Sequence, residues 1–391
     1  MSSAQLPLAG ITVVALEQAV AAPLATRHLA ELGARVIKIE RPDGGDFARG
    51  YDDVVNGQAA HFVWLNRSKE SICIDLGTEA GRVVAHRLID TADVFIHNLS
   101  PGATERLGLD DTSLRRRSPK LVVVNMSGYG SAGPMRDRKA YDMLMQAETG
   151  MVSVTGTPET PTKTGIPSSD IATGMYAALA VVSALLRRTR TGEGATIDIS
   201  MFDSSVEWMG YPMYVQLYAG RQIERRGVGH ASIAPYGAYP TKDGSILIGV
   251  QNDFGWRALA GAVFGRPEEA TEMRFSSNIA RVAHRRECDE FVASQTAQWL
   301  TDDLDQALSA AGVPAARIND MNAVVNHPQL TERDRWRTVS TPNGPIKAVL
   351  PPMDFADVEL RMDPVPGLGE HTEAILRELD LGAPSGTDDH A

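Results

Sequence analysis

Asp170 is the residue whose setting speaks most directly of chemistry. It follows Gly165-Ile166-Pro167-Ser168-Ser169 and opens the helical pattern Ile171-Ala172-Thr173-Gly174-Met175-Tyr176. An aspartate there can cap the helix by accepting from a free backbone N–H, a contribution of about 0.5–2 kcal/mol relative to alanine. At the positive end of a helix, beside unbonded amides, the same carboxylate can instead act as a nucleophile with an anion-stabilising site next to it. Local sequence leaves both readings open.

The other chemical patterns lead elsewhere. Gly128-Tyr129-Gly130-Ser131-Ala132-Gly133 matches GxGxxG after a strand-like run, but Pro134 follows. The dinucleotide fingerprint needs its third glycine inside a helix and an acidic residue about 20 positions on. The run reads as a tight turn allowing close backbone approach. None of the nine histidines falls in an HExxH or HxH pattern, and His230 and His371 stand alone as packing or capping residues. No GxSxG elbow and no P-loop occurs. Cys73 and Cys288 are isolated, which suggests a reducing, cytoplasmic setting rather than a disulfide framework or a zinc site.

These residues need a scaffold, and the hydrophobic pattern supplies one. Strands are predicted at 11–16, 35–40, 71–76, 93–99, 121–126 and 195–200, with helices at 23–32, 79–91, 170–188 and 204–219 between or after them. Such alternation argues for an α/β fold with a parallel sheet and right-handed crossovers, a Rossmann-like domain. After Gly220 the character shifts. Residues 236–250 read as two antiparallel strands around Lys242-Asp243-Gly244, followed by helices at 256–264, 289–300 and 303–311. That predicts a large domain over 1–224, a small α+β domain over 225–330, and a segment 331–391 beyond it. Residues 350–369, rich in Pro and Gly, make a poor core. A last helix is predicted at 370–381, and 384–391 reads as a polar, frayed end.

At 391 residues and 43% apolar content the chain can bury a substantial core. Lys and Arg total 38 against 49 Asp and Glu, a net charge of −11. That balance argues against nucleic acid or an anionic membrane surface as partner. Residues 1–10 show no basic stretch leading into an apolar run, so no secretory signal is expected. The longest apolar run, 175–186, is shorter than the roughly 20 residues of a span and reads as a buried helix.

Taken together, several segments resemble family III CoA-transferases, the superfamily of formyl-CoA, carnitine and bile-acid CoA-transferases that also holds α-methylacyl-CoA racemases. The segments are Leu8-Ala9-Gly10-Ile11, Ala22-Pro23, residues 32–42, Gly45-Asp46, Asn66-Arg67-Ser68-Lys69, Asn98-Leu99-Ser100-Pro101-Gly102, Gly128-Tyr129-Gly130, Lys139-Ala140-Tyr141-Asp142, Asp170 with Thr173-Gly174-Met175, and Leu368-Gly369-Glu370-His371-Thr372. The resemblance implies a Rossmann-like large domain built from both chain ends, a smaller α+β domain, and two chains interlocked as a homodimer. It implies Asp170 as a nucleophile that forms an acyl anhydride and then an aspartyl-CoA thioester, with no metal and no cofactor beyond CoA. It places Arg41, Arg106 and Lys139 at the CoA phosphates. Further CoA contacts fall at Val20 and Ala21, at Ile74, Asp75, Leu76 and Gly77, at Asn98, Leu99 and Ser100, and at Ala140, Tyr141 and Asp142.

There are departures from the family pattern. Val20 stands where formyl-CoA transferase-like members carry glutamine, with Gln18 two residues before it. Gly229-His230-Ala231-Ser232-Ile233-Ala234-Pro235-Tyr236 replaces the poly-glycine lid of oxalate-using members. This favours larger acids, of the C4–C5 dicarboxylate kind (succinate, malate, mesaconate, itaconate, citramalate), with succinyl-CoA or a similar acyl-CoA as donor. Arg49, Arg225 and Arg226 are available for a distal carboxylate. The racemase alternative needs a histidine base where this chain has Tyr141, and a tyrosine of pKa about 10 is a poor base at neutral pH. An intact Asp170 speaks against a non-catalytic CoA-binding protein.

Overall fold

The computed structural model describes residues 5–381, so the 384–391 stretch lies outside the described residues. Six strands form one parallel sheet: β1 (Thr12–Leu16), β2 (Arg35–Glu40), β3 (Lys69–Cys73), β4 (Val94–His97), β5 (Val122–Ser127) and β6 (Ala195–Ser200). Their order is β3-β2-β1-β4-β5-β6. This is the doubly wound order, whose direction reverses between β1 and β4. The central strands are near-continuous apolar runs because both sheet faces are covered. Val13 and Ala15 pack beneath α1 (Ala21–Glu31) and a long later helix, while Val14, Leu16 and Phe95 face α2 (Glu79–Asp90) and the helix Thr372–Glu378.

The chain's return segment is stitched onto this sheet-bearing unit. The Arg361 N–H donates to the Glu31 carbonyl, and the Ser68 N–H donates to the Asp363 and Pro364 carbonyls. At the free edge of β3, the Ser71 N–H donates to His371 Nδ1 and the Cys73 N–H to Thr372 Oγ1. Amides that would template aggregation are thereby occupied. Leu360 and Val365 are buried, so the 350–369 stretch contributes apolar anchors despite its Pro and Gly content. Its partners lie far away in sequence, which local composition cannot report.

The chain divides into two compact units. The sheet-bearing unit runs through to Met151, resumes over Thr164–Tyr211 and takes up the chain again from Glu332. The smaller unit comprises Val152–Lys163 and Pro212–Thr331, which differs from the division at 224 read from composition. The reason is long-range: Arg225 donates to the Ser153, Thr157 and Pro158 carbonyls, tying the 152–163 excursion to the small unit. That unit holds an antiparallel sheet of β7 (Tyr236–Pro240), β8 (Ser245–Gly249) and β9 (Ala315–Ala316), backed by Trp256, Phe275 and Phe291.

Three elements differ from the pattern-based reading. Helix α3 (Asp142–Glu148) follows a long loop and has too few apolar positions to announce itself. The predicted helix over 204–219 is two, α5 (Met201–Trp208) and α6 (Gly210–Ala219), interrupted at Met209. Between α3 and α5 lies α4 (Ser168–Thr191), long and apolar enough, by length and composition, to cross a membrane. Only one face of it is buried, through Ala172, Ala177, Val181, Ala184 and Leu185. Met175, Leu179, Val182 and Leu186 form an exposed stripe, so the run 175–186 is half-buried rather than buried.

Phe95 is fully buried in the central strand β4. Phe95→Ala should cost about 3–5 kcal/mol in urea unfolding, because the rigid sheet cannot collapse around the void.

Candidate active site

Each residue that the family resemblance places at CoA lies in a segment that follows a strand of the parallel sheet. The 17–21 loop leaves β1, Arg41 follows β2, 74–77 follow β3, 98–106 follow β4, and 128–142 follow β5. Ligands of doubly wound sheets bind along this edge, in the crevice where strand order reverses. At that reversal, between β1 and β4, the Asn98 side chain clamps the 17–21 loop. The Gln18 N–H donates to Asn98 Oδ1 at 2.9 Å, and Asn98 Nδ2 donates to the Gln18 carbonyl at 2.8 Å.

Asp170 lies in the first turn of α4, third residue after Pro167, and does not cap its own helix. Asp142 does so from α3: its Oδ1 accepts from the Ser169 N–H at 2.8 Å and the Asp170 N–H at 3.2 Å. Gln146, fully buried, holds the other Asp142 oxygen at 2.7 Å and accepts from the Thr164 N–H at 2.9 Å, fixing the approach to α4. Of the two local readings, capping of its own helix is not realised: the amides of that first turn go to Asp142. The backbone N–H of Ala21, the first residue of α1, faces the Asp170 carboxylate and favours its ionised form. The approach depends on Gly174, where a Cβ would lie 2.6 Å from the Ala21 carbonyl oxygen.

Electrostatically the carboxyl is poised. Burial raises its pKa, the Asp142 charge raises it further, and the Ala21 amide offsets part of this, leaving it at about 7. Two tyrosines share the site. Tyr141 immediately precedes α3, and Tyr51 feels both Asp170 and Tyr141. Burial and the charges of Asp46 and Asp170 push the Tyr51 hydroxyl up to about 12, so it remains a donor. Tyr51 was not anticipated; it lies in an irregular segment with no periodic signal.

The remaining predicted contacts are spread along the same edge. Leu99 and Ser100 line a cavity of about 320 Å³ with His97, Asn125, Ser127, Ser131 and Asp198. Its floor is a chain of hydrogen bonds across three strands: His97 Nε2 with Asn125 Oδ1, Asn125 Nδ2 to Asp198 Oδ1, and Ser131 Oγ to Asp198 Oδ2, each 2.9 Å. Burial holds His97 below its usual pKa, and thus neutral at pH 7. Arg41, Arg106 and Lys139 are all exposed, with Arg41 Nε donating to the Gly45 carbonyl and Arg106 lying over Gly102. Gly128 permits close backbone approach, since a Cβ there would lie 2.3 Å from that of Ala140. Ile74, Asp75, Leu76 and Gly77 form the turn into α2, with Asp75 Oδ1 accepting from the Gly77 N–H. The structure brings Ala21 and Asp142 to Asp170 and leaves Ile74–Gly77 engaged in that turn. The arginines available for a distal carboxylate have internal partners: Arg49 pairs with Glu40, Arg225 with carbonyls, and Arg226 with Glu224. Among the described residues no group of three or more His, Cys, Asp or Glu is arranged to hold a metal ion.

The model of CoA-transferase family III matches residues 8–372. The chain belongs to CoA-transferase family III. It is 36% identical to the succinate–glutarate CoA-transferase of Agrobacterium fabrum, covering 96% of both chains. It is 32% identical to the mouse succinyl-CoA:glutarate CoA-transferase, over 95% of this chain and 86% of that one. Among solved structures it matches a CaiB/BaiF family protein from Brucella suis with TM-score 0.84 at 37% identity, covering 96% of this chain and all of that one. This family III member is therefore an enzyme, a CoA-transferase, on a mixed α/β fold with a six-stranded parallel sheet.

Two outcomes follow for the carboxyl of this CoA-transferase. If ionised Asp170 is the reactive form, kcat/KM falls on the acid side with a midpoint near 7, and Asp142→Asn moves that limb to lower pH by removing the like charge. The raised pKa also means that ionised Asp170 weakens the fold above about 7. That cost is relieved as the native carboxyl protonates between about 7 and its ordinary 3.8. Asp170→Asn should therefore raise Tm at pH 8, with the gain shrinking as pH falls through that window.

Proposed function

We propose that this CoA-transferase moves CoA from succinyl-CoA, or a similar acyl-CoA, to a small carboxylic acid of the C4–C5 dicarboxylate class, with Asp170 as nucleophile. The observation that carries the reading is the Asp170 carboxyl itself: desolvated, faced by the Ala21 amide, and poised near 7. A carboxylate is a weak nucleophile, and desolvation with fixed positioning raises its reactivity. The donor and acceptor class is supported by relatives named for succinate and glutarate, of four and five carbons.

In this reading an Asp170 oxygen attacks the thioester carbonyl, the C–S bond breaks, and CoA thiolate leaves a mixed anhydride. The thiolate attacks the aspartyl carbonyl, releasing the donor acid as its carboxylate and forming an aspartyl-CoA thioester. The incoming carboxylate attacks that thioester carbonyl and expels CoA thiolate, giving a second anhydride. Thiolate attack on its acyl carbonyl yields the new acyl-CoA and frees Asp170. The cycle neither consumes nor releases a proton overall, and it calls for no cofactor beyond CoA. Arg41, Arg106 and Lys139 offer exposed cations to the CoA phosphates on an otherwise acidic protein. The other CoA contacts fall to Val20, Ala21, residues 74–77 and 98–100, and Ala140, Tyr141 and Asp142.

The enzyme acts as an interlocked homodimer in the cytoplasm. Exposed apolar side chains on α4 (Met175, Leu179, Leu186) and on α6 (Tyr211, Tyr214, Leu217, Tyr218) support a buried subunit contact. The two unpaired cysteines fit a reducing compartment.

The test is incubation in deuterated water with succinyl-CoA, a 2-methylacyl-CoA and a pool of small carboxylic acids, reading every CoA thioester by mass spectrometry. New thioesters without α-deuterium, abolished in Asp170→Ala while CoA affinity is retained, are the expected result. Deuterium entering the 2-methylacyl-CoA with no new thioester would establish α-proton exchange instead.

A further inference from the structure

Beneath the 17–21 loop lies a cluster of charges with no exposed side-chain surface on Glu17, Lys38, Asp46 or Lys69. Lys38 Nζ donates to Asp46 Oδ2 at 2.8 Å and to the Glu17 carbonyl at 3.3 Å. Lys69 Nζ donates to Glu17 Oε1 at 2.6 Å and to the Pro23 carbonyl at 3.0 Å, and Glu17 Oε2 accepts from Thr26 Oγ1. Glu40 reaches the cluster through the Asp46 N–H, which donates to Glu40 Oε1 at 3.0 Å. Burying several ions together is costly unless each is paired and hydrogen-bonded, and apolar replacements often stabilise a fold as well or better. Stability alone is a weak reason for this arrangement.

The second oxygen of Asp46 points to another reason. Oδ1 accepts from the Ala19 N–H at 3.1 Å, and Ala19 has φ +64°, a left-handed conformation that residues with a Cβ rarely adopt. Two residues later comes Ala21, which starts α1 against the first turns of α4, where a Cβ on Gly174 would lie 2.6 Å from the Ala21 carbonyl oxygen. The Ala21 N–H favours the ionised form of Asp170. Asn98 holds Gln18 on the sheet side and Asp46 holds Ala19 from beneath, so the chain enters α1 at one angle only.

We propose that Asp46 is a positioning residue for the reaction: its carboxylate, fixed by Lys38, locks the left-handed turn at Ala19 and thereby aims the Ala21 amide at Asp170. The inference rests on the reading of Asp170 as nucleophile and adds a group that never touches substrate. A merely structural role is also on hand, because Asp46 caps the short helix Phe47–Gly50 by accepting from the Ala48 N–H. The two roles make different predictions about the acid limb of kcat/KM.

The groups facing Asp170 are Asp142 of α3, Tyr51 after the short helix, and the Ala21 amide of α1; Asp46 and Tyr141 in turn face Tyr51. Removing a negative charge at 46 would, through space, shift the limb to lower pH. Loss of the Ala21 donor shifts it to higher pH. Asp46→Asn should therefore move the limb upward and lower kcat by about tenfold or more, the scale on which small misplacements act. Ala19→Val, which changes no charge and strains the same turn, should do likewise, and it decides the matter if Asp46→Asn fails to fold. A folded variant whose limb stays put or moves to lower pH overturns the positioning role. Asp170→Asn, assayed alongside, separates the two ideas. If it is inactive while Asp46→Asn and Ala19→Val behave as wild type, the nucleophile stands and the positioning role falls. If it retains turnover, both fall.

Discussion

Two helix N-termini converge on one carboxylate. The first amide of α1 faces Asp170, which itself sits in the first turn of α4, and the first amides of α4 are taken by Asp142 of α3 rather than by a cap of its own. The crossing is possible because position 174 has no side chain; a methyl there would run into the Ala21 carbonyl. Most other features of the sheet-bearing unit bear on this meeting. The sheet fixes where β1 ends, α1 and α4 share the apolar cluster on one of its faces, and α3 brings the Asp142 carboxylate to the start of α4.

That arrangement sets an electrostatic compromise. A carboxylate near two helix N-termini is stabilised by their amides, yet its removal from water and the nearby Asp142 charge penalise ionisation more strongly. A fully solvated aspartate would be ionised but feeble, and a wholly buried one would be protonated and inert. A value near 7 lies between these limits and keeps a substantial ionised fraction at neutral pH. The same compromise weakens the fold, a common cost of active sites. The ion cluster under the 17–21 loop belongs to the same economy of buried charge. Glu17 and Lys38 both keep their charged forms despite burial because of their opposite partners, whereas burial and the Lys38 charge pull Lys69 down to about 8 even with Glu17 beside it.

The acidic chain and its anionic ligand are compatible once the distribution of charge is considered. Net charge −11 is a property of the whole surface. The strand ends where CoA is proposed to lie carry Arg41, Arg106 and Lys139 in exposed positions, together with backbone turns such as Gly128–Gly130 that let main chain approach closely. The GxGxxG match sits in this last turn, after β5 and far from the β1 turn of a dinucleotide site, and no helix follows until Asp142. Its glycines serve packing against Ala140 and a left-handed turn at Gly130.

The sequence by itself determined the parallel α/β sheet, since runs such as 35–40 and 195–200 carry their β-branched signal locally and their helices follow at crossover spacing. It also singled out Asp170 and the strand-end segments, because the family's motifs are short and contiguous. Tertiary structure alone decided what faces Asp170 and how far its pKa rises, because Ala21 and Asp142 reach it from other elements. It also decided the fate of 152–163 and the anchoring of Leu360 and Val365, whose partners are remote in the chain. Lys38 and Lys69 left a faint trace, charged residues set in buried strands, but only the fold shows them converging beneath one loop. Periodicity records which way a side chain faces; it does not record what it faces, and at this site the opposing group makes the chemistry.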